Sequence, residues 1–179
     1  MLGTVSLIFV FFSSEAFPWG FATHANINDH LGKRRGLCNA SEIYGGMAPD
    51  VFNYLFDYPQ YMTFLTDETH ANFMKVWDAA RWGFQKPLAY GFVSHNDVWG
   101  ADFTAHHSGR TFGQEKGYVI AKAELLKPIV LDVLEQLPSD PQDPDLLDAI
   151  ALEVSHELVE NGIDILMKRK DPIIGQKII

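Results

Sequence analysis

The sequence has very little of three things: cysteine, positive charge and residue patterns that favour β-strands. Cys38 is the only cysteine among 179 residues, so no disulfide can form within the chain. Lysine and arginine number 14 against 23 aspartates and glutamates, which gives a formal net charge of −9. Because a groove for nucleic-acid backbones needs a basic surface, we expect no stable nucleic-acid complex. Strand signals are scarce throughout, which argues against a sheet.

One long hydrophobic run is present, and it lies at the N-terminus. Residues 5–12 are apolar apart from Ser6, and small residues follow at Ser14 and Ala16. This pattern is typical of a secretory signal peptide at 1–16, and the run is too short for a stable membrane anchor. A buried N-terminal strand is the alternative, because no lysine or arginine occurs before Lys33. We therefore expect a mature domain at 17–179 that is secreted or periplasmic and has no transmembrane anchor after cleavage.

The rest of the chain is predicted to be helical. Its length suits one domain, and 47% hydrophobic with 21% charged residues is typical of a folded protein. Helical spacing of apolar residues predicts helices at 23–35, 66–82, 88–94, 115–137 and 144–168. Thr23 is expected to cap the first of these, and the Gly45-Gly46 pair is expected to form a tight turn. The fold class predicted is therefore all-α, a single helical domain.

The stretch from Ser94 to Gly109 has the composition of a metal site. Its sixteen residues include three histidines and two aspartates, namely His95, His106, His107, Asp97 and Asp102. Imidazole and carboxylate together are the ligand set of zinc, manganese and non-haem iron. An exposed polar loop rich in histidine is the alternative interpretation.

A second pair of candidate ligands lies in the last predicted helix. His156 and Glu160 are four residues apart, which places both side chains on one helix face where they can bind one ion. The same face carries Leu152 and Ile163, so the pair is expected to point inward. A simple hydrogen-bonded His–Glu pair would satisfy the same burial without a metal.

Three further polar residues are candidates by position. His24 and His70 lie on the apolar faces of their predicted helices, so both are expected to point inward. Asp50 follows Pro49 at the start of a short helix, where a carboxylate is also favoured as a cap.

Taken in order, the motifs WGFATH, APDVF, ETH, SHNDVWGADFTAHH and HELVE resemble those of the zinc-dependent phospholipase C family. This family includes the catalytic domain of the glycosylphosphatidylinositol-specific phospholipase D, and the fungal single-strand-specific nucleases are more distantly similar. The resemblance covers Trp19 to Glu160 and takes in six of the seven histidines. It leaves His30, which we expect at the surface. It implies an all-α domain around a multinuclear site of up to three zinc ions.

The resemblance also implies a ligand set. The first zinc would be held by Asp50, His70, His95 and Asp102. The second would be held by His106, His156 and Glu160. The third would be held by His24, by Asp102 as a bridge, and by the amine and carbonyl of Trp19 as the mature N-terminus. Three alternatives stay open, namely Asp97 for Asp102, His107 for His106 and Phe17 for Trp19 as the first residue.

The implied activity is hydrolysis of phosphodiester bonds. We expect a phospholipase C-like enzyme on glycerophospholipids, in which a zinc-held hydroxide attacks phosphorus. Asp50 is the expected catalytic carboxylate, and a phospholipid or other phosphodiester is the expected partner, with transient contact to a membrane surface. The alternatives are a single-strand-specific nuclease, with aromatic platforms such as Phe21 or Tyr54, and a secreted zinc-binding domain without turnover. The chain ends soon after the last motif, so the domain is expected to lack the family's last helices or to be C-terminally truncated.

Overall fold

The computed structural model describes residues 20–34, 40–55, 57–107, 116–137 and 143–178. Within these ranges the chain forms eight α-helices and no β-strand, which confirms the all-α prediction. The helices are α1 Phe21–Arg34, α2 Ala40–Met47, α3 Met62–Thr66, α4 Met74–Ala79, α5 Lys86–His95, α6 Ala101–His106, α7 Tyr118–Glu135 and α8 Pro144–Lys170. Short 3-10 segments lie at Ala48–Tyr54, Pro59–Tyr61 and Ile174–Ile178. The predicted signal peptide and Trp19 lie outside the described residues.

The longest helix, α8, begins where the sequence predicts it. The Asp143 carboxylate accepts a hydrogen bond of 3.0 Å from the Asp145 amide, and Pro144 occupies the first turn. Basic residues fill the last turn, where they complement the carbonyl end of the helix dipole. The helix packs along α7, which continues through Pro128 without interruption.

The single helix predicted over 66–82 is wrong. Helix α3 ends at Thr66, a π-helical turn follows at Asp67–Ala71, and α4 begins only at Met74. The break lies at Asn72, which has φ −95° and ψ 19° and whose side chain hydrogen bonds to Glu68. The wide turn points His70 into the protein, where it is 5% exposed. Apolar spacing along the chain does not reveal such an inserted residue.

The turn predicted at Gly45-Gly46 is also wrong, because both glycines lie inside α2. A Cβ atom on Gly45 would lie 2.2 Å from the Leu88 carbonyl oxygen, and one on Gly91 would lie 2.0 Å from the Glu42 carbonyl oxygen. The glycines therefore permit close packing of the α2 and α5 backbones. This contact brings the segment that follows α2 next to the end of α5.

Helix α1 packs on α2, on α8 and on the C-terminal 3-10 segment. A small hydrophobic core joins α1, α2 and the 3-10 segment, formed by Ala25, Ile43, Met47 and Ile174 with Phe21 and Ala22 against it. The prediction that Thr23 caps α1 is wrong, because α1 begins at Phe21 and the Thr23 hydroxyl donates to Asp164. His30 is exposed, as predicted.

Candidate metal centre

Three histidines from different elements surround one buried carboxylate. Asp50 lies in the 3-10 segment after α2, and the Nε2 atoms of His24, His70 and His95 lie 3.6, 3.3 and 3.2 Å from its oxygens. The Nε2 atoms of His70 and His95 are 3.1 Å apart. The His24 ring stacks on that of His95 with 4.1 Å between centroids. Folding therefore gathers residues that are far apart in the sequence into one polar cluster.

The hydrogen bonds around two of these rings fix their tautomers. Nδ1 of His95 lies 2.8 Å from the Gly46 carbonyl oxygen, which can only accept, so Nδ1 carries the hydrogen. The Thr69 hydroxyl donates to the Leu65 carbonyl and therefore accepts from Nδ1 of His70, at 2.7 Å. In the neutral rings both Nε2 atoms then present lone pairs towards each other and towards Asp50.

This convergence of acceptors matches the spacing of ligands around a cation. With zinc–nitrogen bonds of about 2.0–2.1 Å, tetrahedral ligand atoms lie about 3.3 Å apart. The Nε2–Nε2 distance of 3.1 Å and the Nε2–carboxylate distances of 3.2 and 3.3 Å are close to that value. Neutral imidazole and carboxylate groups at such distances repel one another unless a proton or a cation lies between them.

A second group lies between α6 and α8. Nε2 of His106 lies 2.8 Å from Oε1 of Glu160, and Nε2 of His156 lies 3.0 Å from the same oxygen. Nδ1 of His106 lies 2.9 Å from Oδ1 of Asp102. Asp102 also falls with His70 and His95 in a group whose ligand atoms lie within 4.8 Å of one another. Asp102 therefore connects the two parts of the site.

Several buried atoms of the site have no hydrogen-bond partner among the described residues. They are both ring nitrogens of His24, both carboxylate oxygens of Asp50, and Nε2 of His156, because the contacts between the histidines and Asp50 and between His156 and Glu160 lack hydrogen-bond geometry. A buried polar group without a partner costs about 1–3 kcal/mol, and a bound cation would satisfy the carboxylate oxygens and one ring nitrogen of each histidine. The residues present therefore fit a metal ion, and these histidine, aspartate and glutamate groups can hold one.

The local charges keep the Asp50 carboxylate ionised. Burial raises the pKa of Asp50, but the neighbouring His95 and His70 outweigh it and lower the pKa overall. Burial, and then the nearby His95, lowers the pKa of His24 well below its usual value. Burial lowers the pKa of His106, but hydrogen bonds to Asp102 and Glu160 outweigh it and raise the pKa to about 10. Without a cation, His106 therefore holds a proton between two carboxylates at neutral pH.

The structure brings together eight of the nine predicted ligands, all but Trp19, in three groups, two of which share His95. Of the alternatives left open by the sequence, Asp102 and His106 lie in these groups, whereas Asp97 and His107 do not. Asp97 is exposed in the turn after α5, and the His107 ring lies against Phe103 with 4.8 Å between centroids.

One grouping differs from the expected ligand set. The structure groups His24 with Asp50 and His95, whereas the resemblance implies a third zinc on His24, Asp102 and Trp19. Trp19 lies outside the described residues, so the third position stays a prediction. The sequence analysis also missed the groups that hold the rings, Thr69 and the Gly46 carbonyl, because neither is a ligand type.

No family model, no curated protein and no solved structure matches this chain. No helix in the described ranges has the length and apolar character needed to cross a membrane. The fold and the site together define an all-α protein with buried histidine and carboxylate groups that can hold metal ions.

Proposed function

We propose that the protein is a zinc-dependent phosphodiester hydrolase of the phospholipase C type. The observation that carries this proposal is the convergence of the His70 and His95 Nε2 lone pairs on the Asp50 carboxylate. Asp102 links this group through a 2.9 Å contact with His106 to the His156 and Glu160 pair. Linked groups of this kind suit neighbouring metal ions, which are common in enzymes that cleave phosphodiesters.

Zinc bound here would polarise a phosphoryl oxygen and lower the pKa of a bound water to about 7. Asp50 directs Oδ1 towards His70 and His95, while Oδ2 lies 3.6 Å from Nε2 of His24. Because the pKa of Asp50 is lowered, this carboxylate stays ionised and would orient a water by accepting its hydrogen bond. We also assign it the role of proton acceptor. The most exposed ligand side chains are His106 and Asp102, at 13% and 10%, so solvent and substrate would reach the site from their side.

Glycerophospholipids are the substrate class that we propose. The motif resemblance supports this choice, and the net charge of −9 disfavours a polyanionic nucleic acid. Four aromatic residues that follow Asp50 in the chain are more than half exposed, namely Tyr54, Tyr58, Tyr61 and Phe64. Aromatic side chains of this kind suit transient contact with a membrane surface. Secretion belongs to the same proposal, and it rests on the apolar segment within 1–16.

A single-strand-specific nuclease is the second candidate. It is favoured by Tyr54, which is 58% exposed and stacks on Phe21 with 5.4 Å between ring centroids. An exposed aromatic ring of this kind can serve as a platform on which a nucleic-acid base stacks. Phe52, in contrast, is 8% exposed and packs edge-on against His70, so it is not available for base stacking.

The deciding experiment combines metal content with two assays. Elemental mass spectrometry on the purified full chain should find two to three zinc ions, and N-terminal sequencing of secreted material identifies the first residue. Phosphatidylcholine vesicles and single-stranded DNA are then compared as substrates, before and after chelation and zinc addition. His95→Ala should abolish activity, whereas His30→Ala, at an exposed histidine, should leave it unchanged. Bound zinc without hydrolysis of either substrate would support the alternative that the protein is a zinc-binding domain without turnover. Absence of tightly bound metal would refute the proposal.

A further inference from the structure

The start of α1 is held by a carboxylate from the far end of the chain. Asp164 on α8 accepts hydrogen bonds from the Ala22 amide at 3.1 Å, the Thr23 amide at 2.9 Å and the Thr23 hydroxyl at 2.6 Å. These bonds satisfy the Ala22 amide, which has no partner within the helix, and share the Thr23 amide with the Gly20 carbonyl. A carboxylate is also favoured there by the helix dipole.

Gly20 gives independent evidence that this contact is close. A Cβ atom at position 20 would lie 2.2 Å from Oδ2 of Asp164, so the absence of a side chain lets the carboxylate reach the helix. The Gly20 carbonyl in turn accepts from the Thr23 and His24 amides, at 2.9 and 3.2 Å. The backbone directly before and at His24 is therefore fixed against α8.

His24 differs from His70, His95 and His106 in how its ring is oriented. Nδ1 is held by Thr69 in His70, by the Gly46 carbonyl in His95 and by Asp102 in His106. None of the described residues hydrogen bonds to either ring nitrogen of His24, which is 0% exposed. Stacking on His95 and the position of the α1 backbone are therefore what sets this ring.

We propose that Asp164 is a positioning residue for the metal centre, which clamps the first turn of α1 to α8 and thereby places His24 beside Asp50 and His95. On α8, Asp164 lies four residues beyond Glu160 and eight beyond His156, so all three share one helix face. The same face therefore supplies two candidate ligands and the clamp for a third. This inference rests on the metal binding in the proposed function.

The test is a zinc titration of the metal-free full chain and its variants, with elemental analysis after removal of loose zinc. Asp164→Ala should weaken one zinc site by about 10–100-fold, as loss of a group that orients a ligand does. His24→Ala should weaken the same site, and the double variant should lose no more than His24→Ala alone, because both changes act through one side chain. Asp164→Asn keeps an oxygen acceptor for the α1 amides and should restore most of the binding.

The matched control is Asp143→Ala, which removes the carboxylate that caps α8 itself but touches no candidate ligand. It should lower stability without changing zinc binding, and circular dichroism checks that each variant folds. Equal zinc affinity in wild type and Asp164→Ala, or an equal loss in Asp143→Ala, would overturn the inference while leaving the proposed function standing. If the wild-type chain binds no zinc, both proposals are wrong.

Discussion

At the scale of single residues, the chemistry of the candidate centre depends on which ring nitrogen of each histidine carries the hydrogen. The Gly46 carbonyl accepts a hydrogen bond from Nδ1 of His95, and the Thr69 hydroxyl accepts one from Nδ1 of His70. Both rings therefore direct their Nε2 lone pairs towards Asp50. Such outer contacts fix both the tautomer and the direction of a ligand before a metal binds. Asp50 is therefore the residue on which the proposed metal binding and water activation would both depend.

Asp50→Asn tests this dependence. The amide keeps the size of the side chain but loses the negative charge and the ability to accept a proton. Hydrolysis should fall by about 10²–10⁴-fold, the usual contribution of a general base. The measurement is the rate of phosphodiester hydrolysis, together with zinc content by elemental analysis. Asp78→Asn, at an exposed carboxylate on α4, is the control. Unchanged activity with full zinc content would show that Asp50 is not the base.

Single-residue predictions from the sequence depended on ligand type and local spacing. His156 and Glu160 were predictable because a helix brings residues four apart together. The ring-holding roles of Thr69 and Gly46 were not, since a hydroxyl and a backbone carbonyl have no distinctive pattern. Asp164 was not predictable either, because its hydrogen bonds to Thr23 join positions 141 residues apart.

At the scale of helices, close backbone contact between α2 and α5 brings two candidate ligands together. Asp50 follows α2, and His95 is the last residue of α5. Gly45 and Gly91 allow the two helices to touch through backbone atoms. Any side chain added there must push the helices apart, because the atoms that it would meet belong to backbone.

Gly91→Ala should therefore destabilise the fold by about 1–3 kcal/mol, the cost of overpacking. Its Cβ would meet the Glu42 carbonyl oxygen at 2.0 Å. Gly162→Ala on α8 is the matched control, since its Cβ would have no neighbour within 4 Å, and it should stabilise by about 0.5–1 kcal/mol through helix propensity. Urea unfolding measures both. Destabilisation by the two variants alike would contradict the packing argument.

The contact between α1 and the C-terminal 3-10 segment should depend on pH. Lys177 pairs with Asp29 at 2.7 Å and also with Asp171, and Lys33 pairs with Asp29 at 2.7 Å. Burial raises the pKa of Asp29, but hydrogen bonds from Lys177 and Lys33 outweigh it and lower the pKa overall. A carboxyl with a lowered folded-state pKa stabilises the fold above its unfolded pKa of about 3.9 and loses that contribution as pH falls through the folded value.

Lys177→Met should therefore cost about 1–3 kcal/mol at pH 7, and the difference from wild type should shrink as the pH falls below about 4. The free energy of unfolding is measured in urea with chelator present, so that pH-dependent metal binding does not contribute, and the titration of the buried histidines and carboxylates cancels in the comparison with wild type. Lys170→Met, at an exposed lysine on α8, is the control and should have little effect at either pH. A difference that stays constant down to pH 3 would rule out the Asp29 pair as its source.

Helix prediction succeeded where local chemistry decides the boundary and failed where tertiary contacts do. Asp143-Pro144 fixes the start of α8 by its own hydrogen bond and backbone angle. The break at Asn72 accompanies the turn of His70 towards Asp50. The helical state of the glycine pair depends on close neighbours, α5 for Gly45 and Asn28 of α1 for Gly46. None of these partners is visible in a window of neighbouring residues.

At the scale of the whole molecule, the interior is unusual because its buried polar and charged residues are as numerous as its buried hydrophobic ones within the described ranges. Many of the buried hydrophobic residues are alanines, which contribute little buried area each. A fold with such an interior depends on satisfying its polar groups. The helices that meet at the candidate centre are thus expected to rely on a cation for part of their stability.

Metal removal should therefore lower the unfolding temperature of the full chain. A ligand at a thousand times its dissociation constant stabilises by about 4 kcal/mol, and in a protein of this size that corresponds to roughly 10 °C. Calorimetry with chelator, and again after zinc addition, measures the shift.

Magnesium should not replace zinc, because it prefers six oxygen ligands and the centre offers mainly imidazole nitrogen. In His95→Ala the zinc-dependent shift should shrink, because His95 belongs to two of the groups, while His30→Ala should keep it. Identical unfolding temperatures with chelator and with zinc would mean that the buried histidines and carboxylates satisfy one another without a metal.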